Sequence, residues 1–267
     1  MTSPGAVEGT RTDAPRLAIV VPCHNEQEVL QASARTLLAR LQELVSSGLV
    51  APTSHLLLVD DGSTDHTWSL IQDLHSADAR VRGLKLSRNF GHQGAILAGM
   101  LEAGTDAVVT IDADLQDDEA CITEMVRQFR AGHDLVLGVR DDRRSDATSK
   151  RATARGYYRL LRALGVNIVY DHADYRLLSR RAVDELRQYS ETNLFLRGII
   201  PMLGLPTAIV RYARQPRTAG HSKYSARKML SLGWEGITSL SVAPLRLVSA
   251  TGFLIALAAL GVTVWAL

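Results

Sequence analysis

An Asp-x-Asp pair follows a short apolar run in the segment VVTIDADLQDDEA, residues 108–120. Asp112 and Asp114 would project two carboxylates to one side of a turn, and Gln116 can add a neutral oxygen. Hard oxygen ligands of this kind, completed by water and substrate phosphates, suit Mg²⁺ or Mn²⁺. The residue types and their spacing therefore predict a divalent-cation site at Asp112, Asp114 and Gln116. The acids that follow suit the first turn of a helix instead, namely Asp117, Asp118 and Glu119.

A second acidic pair, Asp60 and Asp61, lies at the end of another apolar run, in the segment VDDGSTD, residues 59–65. Adjacent carboxylates at the end of a strand can accept hydrogen bonds from a nucleobase N–H group or from ribose hydroxyls. A loop with a good helix cap would explain Ser63 and Thr64. It would not explain the acidic pair, which we interpret as a binding feature.

The segment SRNFGHQGAILAGM, residues 87–100, has Gly91 and Gly94 on either side of an expected helix start. Exposed backbone N–H groups at such a place can meet a phosphate or a ribose, which makes Gly94 a candidate nucleotide contact. The segment contains neither the Gly-Lys-Ser/Thr of a Walker loop nor Gly-x-Gly-x-x-Gly. A dinucleotide-dependent oxidoreductase is therefore disfavoured.

Short apolar runs alternate with amphipathic helix patterns along the first half of the chain. The runs lie at residues 17–22, 55–60, 81–86, 106–112 and 134–140. Buried strands of this length, separated by helices, predict a mostly parallel sheet covered by helices on both faces. Asn25 and Glu28 predict a capping box at the start of the first helix. Ligands bind such sheets at the carboxyl ends of the strands, where both acidic pairs would lie.

The charge of the chain is nearly balanced, with a net charge of +2, so its overall charge does not point to a nucleic-acid partner. Two segments are locally basic. Residues 140–162 hold eight Lys or Arg against three Asp, and residues 205–246 hold seven against one Glu. They predict contacts with anionic partners, with solvated helix faces as the alternative. The two cysteines, Cys23 and Cys121, form neither a disulfide framework nor a metal-ligand spacing.

The two ends of the chain differ in character. Residues 1–15 are polar, lack an apolar signal sequence and are expected to be a disordered leader, so the catalytic domain, 16–222, should face the cytosol. Residues 223–245 are predicted to form an amphipathic helix at the membrane surface, with a core-packing helix as the alternative. Residues 247–267 carry no charge and would cover roughly 30 Å as a helix, which predicts a transmembrane helix over 246–267. Because the chain ends where that span would end, a longer chain with further membrane helices is expected.

Six segments together resemble one enzyme family, namely VVPCHNEQEVL, LLLVDDGSTDHT, LSRNFGHQGAILAGM, IDADLQDD, DYRLLSRRAVDEL and AGHSKYSARKML. Over about residues 17–267, their order and spacing are similar to those of the family 2 glycosyltransferases that load a sugar onto a polyprenyl phosphate. These are the dolichyl-phosphate mannose synthases and the bacterial undecaprenyl-phosphate glucosyltransferases. The resemblance implies an α/β fold of the nucleotide-diphosphosugar transferase (GT-A) type, a donor site with Mg²⁺ or Mn²⁺, and an inverting transfer. The bacterial branch looks closer, which favours UDP over GDP and a glucose-like sugar.

The resemblance also implies roles for individual residues. The residues implied to contact the nucleotide sugar are Pro22, His24, Glu26, Asp60, Asp61, Gly94, Asp112 and Ala113. Those implied to meet the acceptor phosphate are Arg140, Arg144, Arg217, Ser222 and Lys223. The implied catalytic residues are Asp112, Asp114 and Asp174, with Asp174 near the transferred sugar. The chain departs from the family pattern at His24, at His221 and at the pair His172 and Ala173.

The expected chemistry needs little base catalysis. The nucleophile would be an oxygen of a phosphate monoester, whose second pKa of about 6 leaves it largely ionised at neutral pH. Asp174 is therefore expected to position substrate or to act electrostatically, with base catalysis second and an ion pair with Arg176 or Arg180 as the structural alternative. The expected partners are a nucleotide-diphosphate sugar, a polyprenyl phosphate and the membrane, and membrane anchoring would favour a homo-oligomer.

Two other functions are kept as alternatives. A glycosyltransferase that acts on a saccharide hydroxyl would need a strong base, and the Gln-x-x-Arg-Trp signature of processive members is absent from the chain. A non-catalytic, membrane-anchored protein that binds sugar nucleotides would not need the Asp-x-Asp motif and Asp174 together.

Overall fold

The computed structural model describes residues 11, 13–140, 172–189, 196–212 and 243–266. The chain divides into two compact units. The first comprises Met1–Asp146 with Val169–His221, and the second comprises Ala147–Ile168 with Ser222–Leu267. The domain boundaries that the sequence predicts, at 16, 223 and 246, stay predictions.

The first unit contains seven strands and six helices within the described residues. The strands are β1 (Leu17–Cys23), β2 (His55–Asp60), β3 (Val81–Lys85), β4 (Ala107–Thr110), β5 (Leu135–Arg140), β6 (His172–Ser179) and β7 (Thr207–Tyr212). The helices are α1 (Leu30–Ser46), α2 (Thr67–Ala77), α3 (His92–Glu102), α4 (Cys121–Arg130), α5 (Arg180–Leu186) and α6 (Leu196–Met202). Each of the five predicted apolar runs coincides with one of the strands β1 to β5.

The strands form a single sheet in the order β3-β2-β1-β4-β6-β5-β7. Strand β6 runs antiparallel to its neighbours β4 and β5, whereas the other neighbouring pairs are parallel. The mostly parallel sheet is therefore confirmed, with one reversed strand that the sequence did not predict. Because β6 is reversed, its first residues lie at the edge where β4 and β5 end. This reversal brings Asp174, near the start of β6, to the same edge as Asp112.

Both faces of the sheet are covered, as the sequence predicts. On β1, Leu17, Ile19 and Val21 belong to a core with α1, α2 and α4. The alternate residues Ala18 and Val20 belong to a second core with α3, α5 and α6. A strand that is buried on both faces reads as a continuous apolar run, because its side chains alternate between two cores.

Two helix starts differ from the sequence prediction. Helix α1 begins at Leu30, and its N-cap residue, Val29, makes no side-chain cap. The predicted capping box is therefore wrong. Asn25 instead lies in the left-handed region, with φ 55°, and its Oδ1 accepts a hydrogen bond from the backbone N of Thr64 at 2.9 Å. Its side chain joins two loops and so is not available to cap a helix. Helix α4 begins at Cys121, after all three acids that were assigned to its first turn.

The end of the predicted leader has defined contacts. The guanidinium of Arg11 lies 4.1 Å from the centre of the Phe129 ring, and its Nη2 donates to Asp134 Oδ1 at 2.6 Å. Its Nη1 donates to the carbonyl oxygens of Phe129 and His133. These contacts border a cleft of about 590 Å³ near Asp106. The cleft lies where β4 begins, away from the edge that carries the acidic pairs, so it is not the predicted site.

The described part of the second unit is one helix, α7 (Ala243–Ala266). Its exposed side chains include large apolar ones, among them Phe253, Leu254 and Trp265. A helix is thus present where the sequence predicts one. Within the described ranges, however, no helix is long and apolar enough to cross a membrane. The transmembrane assignment of residues 246–267 is therefore not supported, and the helix predicted over 223–245 falls almost wholly outside the described residues.

The buried histidine at the start of β2 makes the stability of the fold sensitive to acid. His55 is 3% exposed, and burial, together with Arg82, lowers its pKa from 6.5 to about 4. In the unfolded chain the His55 side chain takes up a proton near pH 6.5, whereas in the folded chain it does so only near pH 4. The free energy of unfolding should therefore fall by about 3 kcal/mol across this window because of His55 alone.

We expect His55→Gln to show a smaller loss of stability between pH 6.5 and pH 4 than the wild type. Urea unfolding at a series of pH values measures this difference, and carboxylates that titrate in both proteins cancel in the comparison. If the free energy of unfolding fell by the same amount with pH in the two proteins, the prediction would be contradicted, whatever their difference in stability at neutral pH.

Candidate active site

The loops that follow β1, β2 and β3 are linked at the carboxyl edge of the sheet. The Nδ1 atom of His24 lies 2.9 Å from the carbonyl oxygen of Asp61, and its Nε2 lies 3.1 Å from Nδ2 of Asn89. Since a carbonyl can only accept, Nδ1 carries the proton and Nε2 accepts from the Asn89 amide. Pro22, on β1, pairs in register with Val59 on β2. The imidazole of His24 therefore joins all three loops, which accounts for a histidine at this position.

The acidic pair after β2 has two different environments. Asp61 Oδ1 accepts a hydrogen bond from the backbone N of Phe90 at 2.7 Å, which fixes the third loop. Asp60 is fully buried, and its Oδ1 accepts from the backbone N of Ser63 at 3.2 Å. Its Oδ2 has no hydrogen-bond partner within the described residues. A buried acceptor without a partner costs about 1–3 kcal/mol, so Asp60 can gain from a ligand that brings an N–H or O–H donor.

Gly62 is required where the second and third loops meet. Its φ is +62°, and a Cβ atom at this position would lie 2.6 Å from the backbone N of Asn89. Any other residue would push the loops apart. Glu26 lies in the first loop, where its backbone N donates to Thr67 Oγ1 at 2.9 Å. Gly94 lies in the first turn of α3, where an added Cβ would lie 3.0 Å from that of Phe90.

The Asp-x-Asp motif lies in a tight turn beyond β4. The backbone N of Leu115 donates to the carbonyl of Asp112 at 3.2 Å, and the backbone N of Gln116 donates to Asp114 Oδ1 at 3.3 Å. Leu115 has a φ of 45°, a left-handed conformation that is uncommon for a leucine and costs energy. The Ser33 hydroxyl on α1 donates to the carbonyl of Ala113 at 2.5 Å. The turn is therefore held in place from both the sheet and a helix.

Asp112 and Asp174 face the same histidine. The Nε2 atom of His92, at the start of α3, lies 3.3 Å from Asp112 Oδ1 and 3.5 Å from Asp174 Oδ2. The Thr110 hydroxyl donates to the carbonyl of Asp174 at 2.5 Å, which ties β6 to β4. Although burial lowers it, the two carboxylates raise the pKa of His92 above its ordinary value. Burial raises the pKa of Asp112, and the negative charges of Asp174, Asp117 and Asp114 act in the same direction, whereas His92 opposes them.

Two arginines hold the carboxylate of Asp174. Arg176, which is fully buried, pairs with Oδ1, and Arg197 Nη2 on α6 donates to Oδ2 at 2.8 Å. Arg197 Nε also donates to Oδ1 at 3.2 Å. Although burial raises it, Arg176, His92 and Arg197 together hold the pKa of Asp174 well below its ordinary range. The ion pair with Arg176 that the sequence left as an alternative is present, whereas Arg180 pairs with Asp184.

The edge of the sheet is completed by Arg140 at the end of β5. Its Nη2 donates to Asp117 Oδ1 at 3.0 Å, and its Nε lies 3.3 Å from the hydroxyl of Tyr212. Asp117 is 2% exposed. The assignment of Asp117 to the first turn of a helix is therefore wrong, because this carboxylate is buried in an ion pair before α4 begins.

Sequence comparison decides which family these features belong to. Residues 18–187 match the family described as glycosyl transferase family 2. The chain belongs to glycosyltransferase family 2. The resemblance inferred from the six segments is therefore confirmed, and the protein is an enzyme that transfers a sugar.

Relatives of this family 2 glycosyltransferase cover most of its length. An uncharacterized glycosyltransferase of Bacillus subtilis is 47% identical over 243 residues, which cover 90% of this chain and 72% of that protein. A bactoprenol glucosyl transferase of Shigella phage SfV is 37% identical over 242 residues, which cover 90% of this chain and 77% of that protein. The solved structure of a mannosyltransferase from Pyrobaculum calidifontis, in complex with GDP-Man and Mn²⁺, has a TM-score of 0.52 at 17% identity, over 94% of this chain and 83% of that one. That structure shares the fold.

The fold of this family 2 glycosyltransferase brings most of the predicted site residues to one edge of the sheet. The predicted nucleotide contacts in the loops after β1, β2 and β3 lie next to one another. The same edge continues with the other described site residues, namely Asp112, Asp114, Asp174 and Arg140. The remaining predicted acceptor residues lie outside the described residues, namely Arg144, Arg217, Ser222 and Lys223.

Two residues of the site were missed by sequence reasoning. His92 lies within the segment SRNFGHQGA, but only its glycines were interpreted. A histidine at an expected helix start, beside a predicted phosphate contact, was the signal that could have identified it. Arg197 offers no such signal, because it contacts Asp174 from 23 residues away in the chain. No local pattern connects the two.

The donor set fits a divalent cation in a particular way. Within the described residues, no group of three or more His, Cys, Asp or Glu side chains is arranged to hold a metal ion. Asp112 and Asp114 nevertheless supply two hard oxygen donors. Burial first, and then the neighbouring carboxylates, raise the pKa of Asp112, and a cation would favour its ionised form. Mg²⁺ in proteins is commonly held by one or two carboxylates plus substrate phosphates and water. The site is therefore suited to a cation that arrives with a diphosphate.

Proposed function

We propose that the protein transfers a hexose from a nucleotide-diphosphate sugar, with UDP-glucose favoured, to the phosphate of a polyprenyl phosphate. The names of its relatives support this proposal, since the bactoprenol glucosyl transferase of Shigella phage SfV is similar over 90% of this chain. The geometry of Asp174 is the observation that carries the proposal for the acceptor.

A carboxylate held by two arginines is a poor general base. Both oxygens of Asp174 are engaged by Arg176 and Arg197. Because its pKa is lowered well below the ordinary value, this carboxylate takes up a proton only in strong acid. Transfer to a saccharide hydroxyl needs a base to remove the hydroxyl proton. Transfer to a phosphate monoester does not, because its oxygens are already ionised near neutral pH. The arrangement around Asp174 therefore favours a phosphate acceptor.

The reaction would be a single displacement. A phosphate oxygen of the acceptor attacks the anomeric carbon, and the bond from that carbon to the oxygen of the nucleoside diphosphate breaks. The configuration at the anomeric carbon is inverted, and the bonding electrons leave with the diphosphate. Asp174, held in place by its arginines, would orient the sugar and stabilise positive charge that develops on it.

The donor would lie over the first three loops. The Oδ2 atom of Asp60, which has no hydrogen-bond partner in the described part of the chain, supports recognition of a base or ribose donor group by this residue. Asp112 and Asp114 would hold Mg²⁺ or Mn²⁺, with Gln116 as the third predicted ligand. When bound, the cation would stabilise the negative charge that develops on the leaving diphosphate.

The proposed acceptor is a membrane lipid, so we also propose that the enzyme works at the cytosolic face of a membrane. The large apolar side chains exposed on α7 support contact of this helix with lipid, among them Phe253, Leu254 and Ile255. Self-assembly at the membrane stays a prediction.

The test is transfer of radiolabel from UDP-glucose to polyprenyl phosphate in detergent with Mn²⁺. We expect label in the organic phase with polyprenyl phosphate and none with the matching polyprenol, whose free hydroxyl would need a base. Label on polyprenol or on an added oligosaccharide would reassign the acceptor to a hydroxyl. No product from any nucleotide sugar, at any metal concentration, would indicate a binding protein.

A further inference from the structure

A buried network joins the Asp-x-Asp turn to the edge of the sheet where Arg140 lies. The carboxylate of Asp117 accepts from Nε and Nη2 of Arg140, at 3.2 and 3.0 Å. Tyr212, at the end of β7, brings its hydroxyl to 3.3 Å from the same Nε. Asp117 lies one residue after Gln116, so the segment that carries the proposed metal ligands continues directly into this network.

The network is closely packed. The Tyr212 ring meets the ring of Tyr175 edge-on, with centroids 5.3 Å apart. The Tyr175 hydroxyl donates to the carbonyl of Asp118 at 2.9 Å, so β6 also holds the segment after the metal ligands. On β5, a Cβ at Gly138 would lie 2.7 Å from the carbonyl of Tyr175 and 3.1 Å from Cε1 of Tyr212. There is no space for a side chain here, so β5 lies in close contact with Tyr175 and Tyr212.

The contacts leave part of the Arg140 guanidinium available. Within the described residues, its hydrogen bonds use Nε and Nη2 and none uses Nη1. The Arg140 side chain is 30% exposed, whereas that of Asp117 is 3% exposed. The buried acid holds one side of the guanidinium, so the opposite side can face solvent or a ligand. An arginine fixed in this way loses less side-chain entropy when it binds an anion than a free one does.

We propose that Asp117 is a positioning residue for the acceptor: it orients Arg140 so that its Nη1 side meets the acceptor phosphate. The inference rests on the proposed function, because it takes the anion at Arg140 to be the lipid phosphate. Asp117 itself touches no substrate in this proposal. Tyr212 assists by occupying Nε, which keeps the guanidinium from rotating.

A double-mutant cycle on Asp117 and Arg140 tests the proposal, with UDP-glucose and polyprenyl phosphate as substrates. We expect Asp117→Ala to raise the KM for polyprenyl phosphate about tenfold, since one charge-assisted contact that orients the arginine is lost. Arg140→Ala should raise it at least as much. The double variant should resemble Arg140→Ala alone, because Asp117 acts only through Arg140. The KM for UDP-glucose should stay within about twofold in all three variants.

Two further variants separate positioning from a general structural role. Tyr212→Phe removes only the hydroxyl that contacts Nε, and we expect a smaller rise, about threefold, in the acceptor KM. Asp118→Asn is the matched control in the same segment; its side chain contacts the backbone N of Ala120 instead of Arg140, and its acceptor KM should not change. Asp117→Asn provides a variant of the same shape if the alanine variant folds poorly.

Several outcomes would overturn the proposal. Additive effects in the cycle, or equal rises in the KM for both substrates, would mean that Asp117 supports the fold and does not orient Arg140. An unchanged acceptor KM in Asp117→Ala would mean that Arg140 does not need Asp117 to meet the acceptor. If the wild type forms no lipid product, the proposed function fails and this inference fails with it; if the wild type does form product but the cycle is additive, only this inference fails.

Discussion

Replacement of Asp114 by alanine is expected to lower sugar transfer by about a thousandfold or more, even with excess Mn²⁺. The site has two carboxylates for a cation within the described residues, Asp112 and Asp114, so the loss of one leaves too few protein ligands to hold the cation against the leaving diphosphate. Excess metal is not expected to compensate, because in the proposed site the missing oxygen would also fix the position of the cation. Transfer from radiolabelled UDP-glucose to polyprenyl phosphate measures the effect across a range of Mn²⁺ concentrations.

A conservative variant separates metal binding from the shape of the turn. Asp114 Oδ1 accepts from the backbone N of Gln116, and an asparagine could keep this hydrogen bond while losing the charge. We therefore expect Asp114→Asn to retain the stability of the wild type but to lose most of its activity. Asp118→Asn also removes one negative charge, at a residue close to Asp114 that is not a proposed ligand, and this variant should stay active. Full activity of Asp114→Ala would show that Asp114 is not a metal ligand.

Replacement of Asp174 by asparagine is expected to affect both catalysis and stability. Arg176 is fully buried, and its Nε and Nη1 have no hydrogen-bond partner within the described residues. Without the Asp174 carboxylate its charge would be left largely uncompensated, which costs about 3 kcal/mol of stability. Activity should fall about a hundredfold, because the proposed role of this carboxylate is to orient the sugar and stabilise the positive charge that develops on it. Urea unfolding and the transfer assay measure the two effects separately.

The matched variant for this prediction removes the buried charge as well. We expect the double variant with Arg176→Met and Asp174→Asn to recover most of the lost stability while remaining inactive, since a buried ion pair can often be replaced by apolar side chains. A stability of Asp174→Asn equal to that of the wild type would indicate that Arg176 is compensated elsewhere. Recovery of activity in the double variant would remove Asp174 from the catalytic residues.

The pH dependence of this stability difference has a definite sign. The pKa of Asp174 in the folded protein is well below its ordinary value of 3.8. The contribution of Asp174 to the free energy of unfolding is therefore present in full above about pH 4, where its carboxylate is ionised in the unfolded chain too. This contribution is lost as the pH falls toward the lower pKa of Asp174 in the folded protein. The gap in stability between the wild type and Asp174→Asn should narrow only in strong acid.

Local patterns were sufficient for the strands β1 to β5 and for the acidic pairs that follow β2 and β4. Strands β1, β2, β4 and β5 are buried on both faces, so their own residues record that burial as an apolar run, whereas β3, at the edge of the sheet, is mostly exposed. Strand β6 could not be recognised in this way. Asp174 and Arg176 are both buried within it, and a sequence pattern treats two charges so close together as a sign of exposure. Their burial is tolerable only because each neutralises the other.

The amino-acid sequence by itself determined which residue types follow each strand, and with them the edge of the sheet that carries the chemistry. That information is local: an apolar run, a turn and a helix start are read within a few residues. The tertiary structure alone decided which charges meet. The pairs Arg140 with Asp117 and Arg197 with Asp174 each span 23 residues, and the reversed direction of β6 places Asp174 beside Asp112. A sequence pattern does not contain that reversal, because it depends on how distant strands pair and on the burial that makes each ion pair necessary.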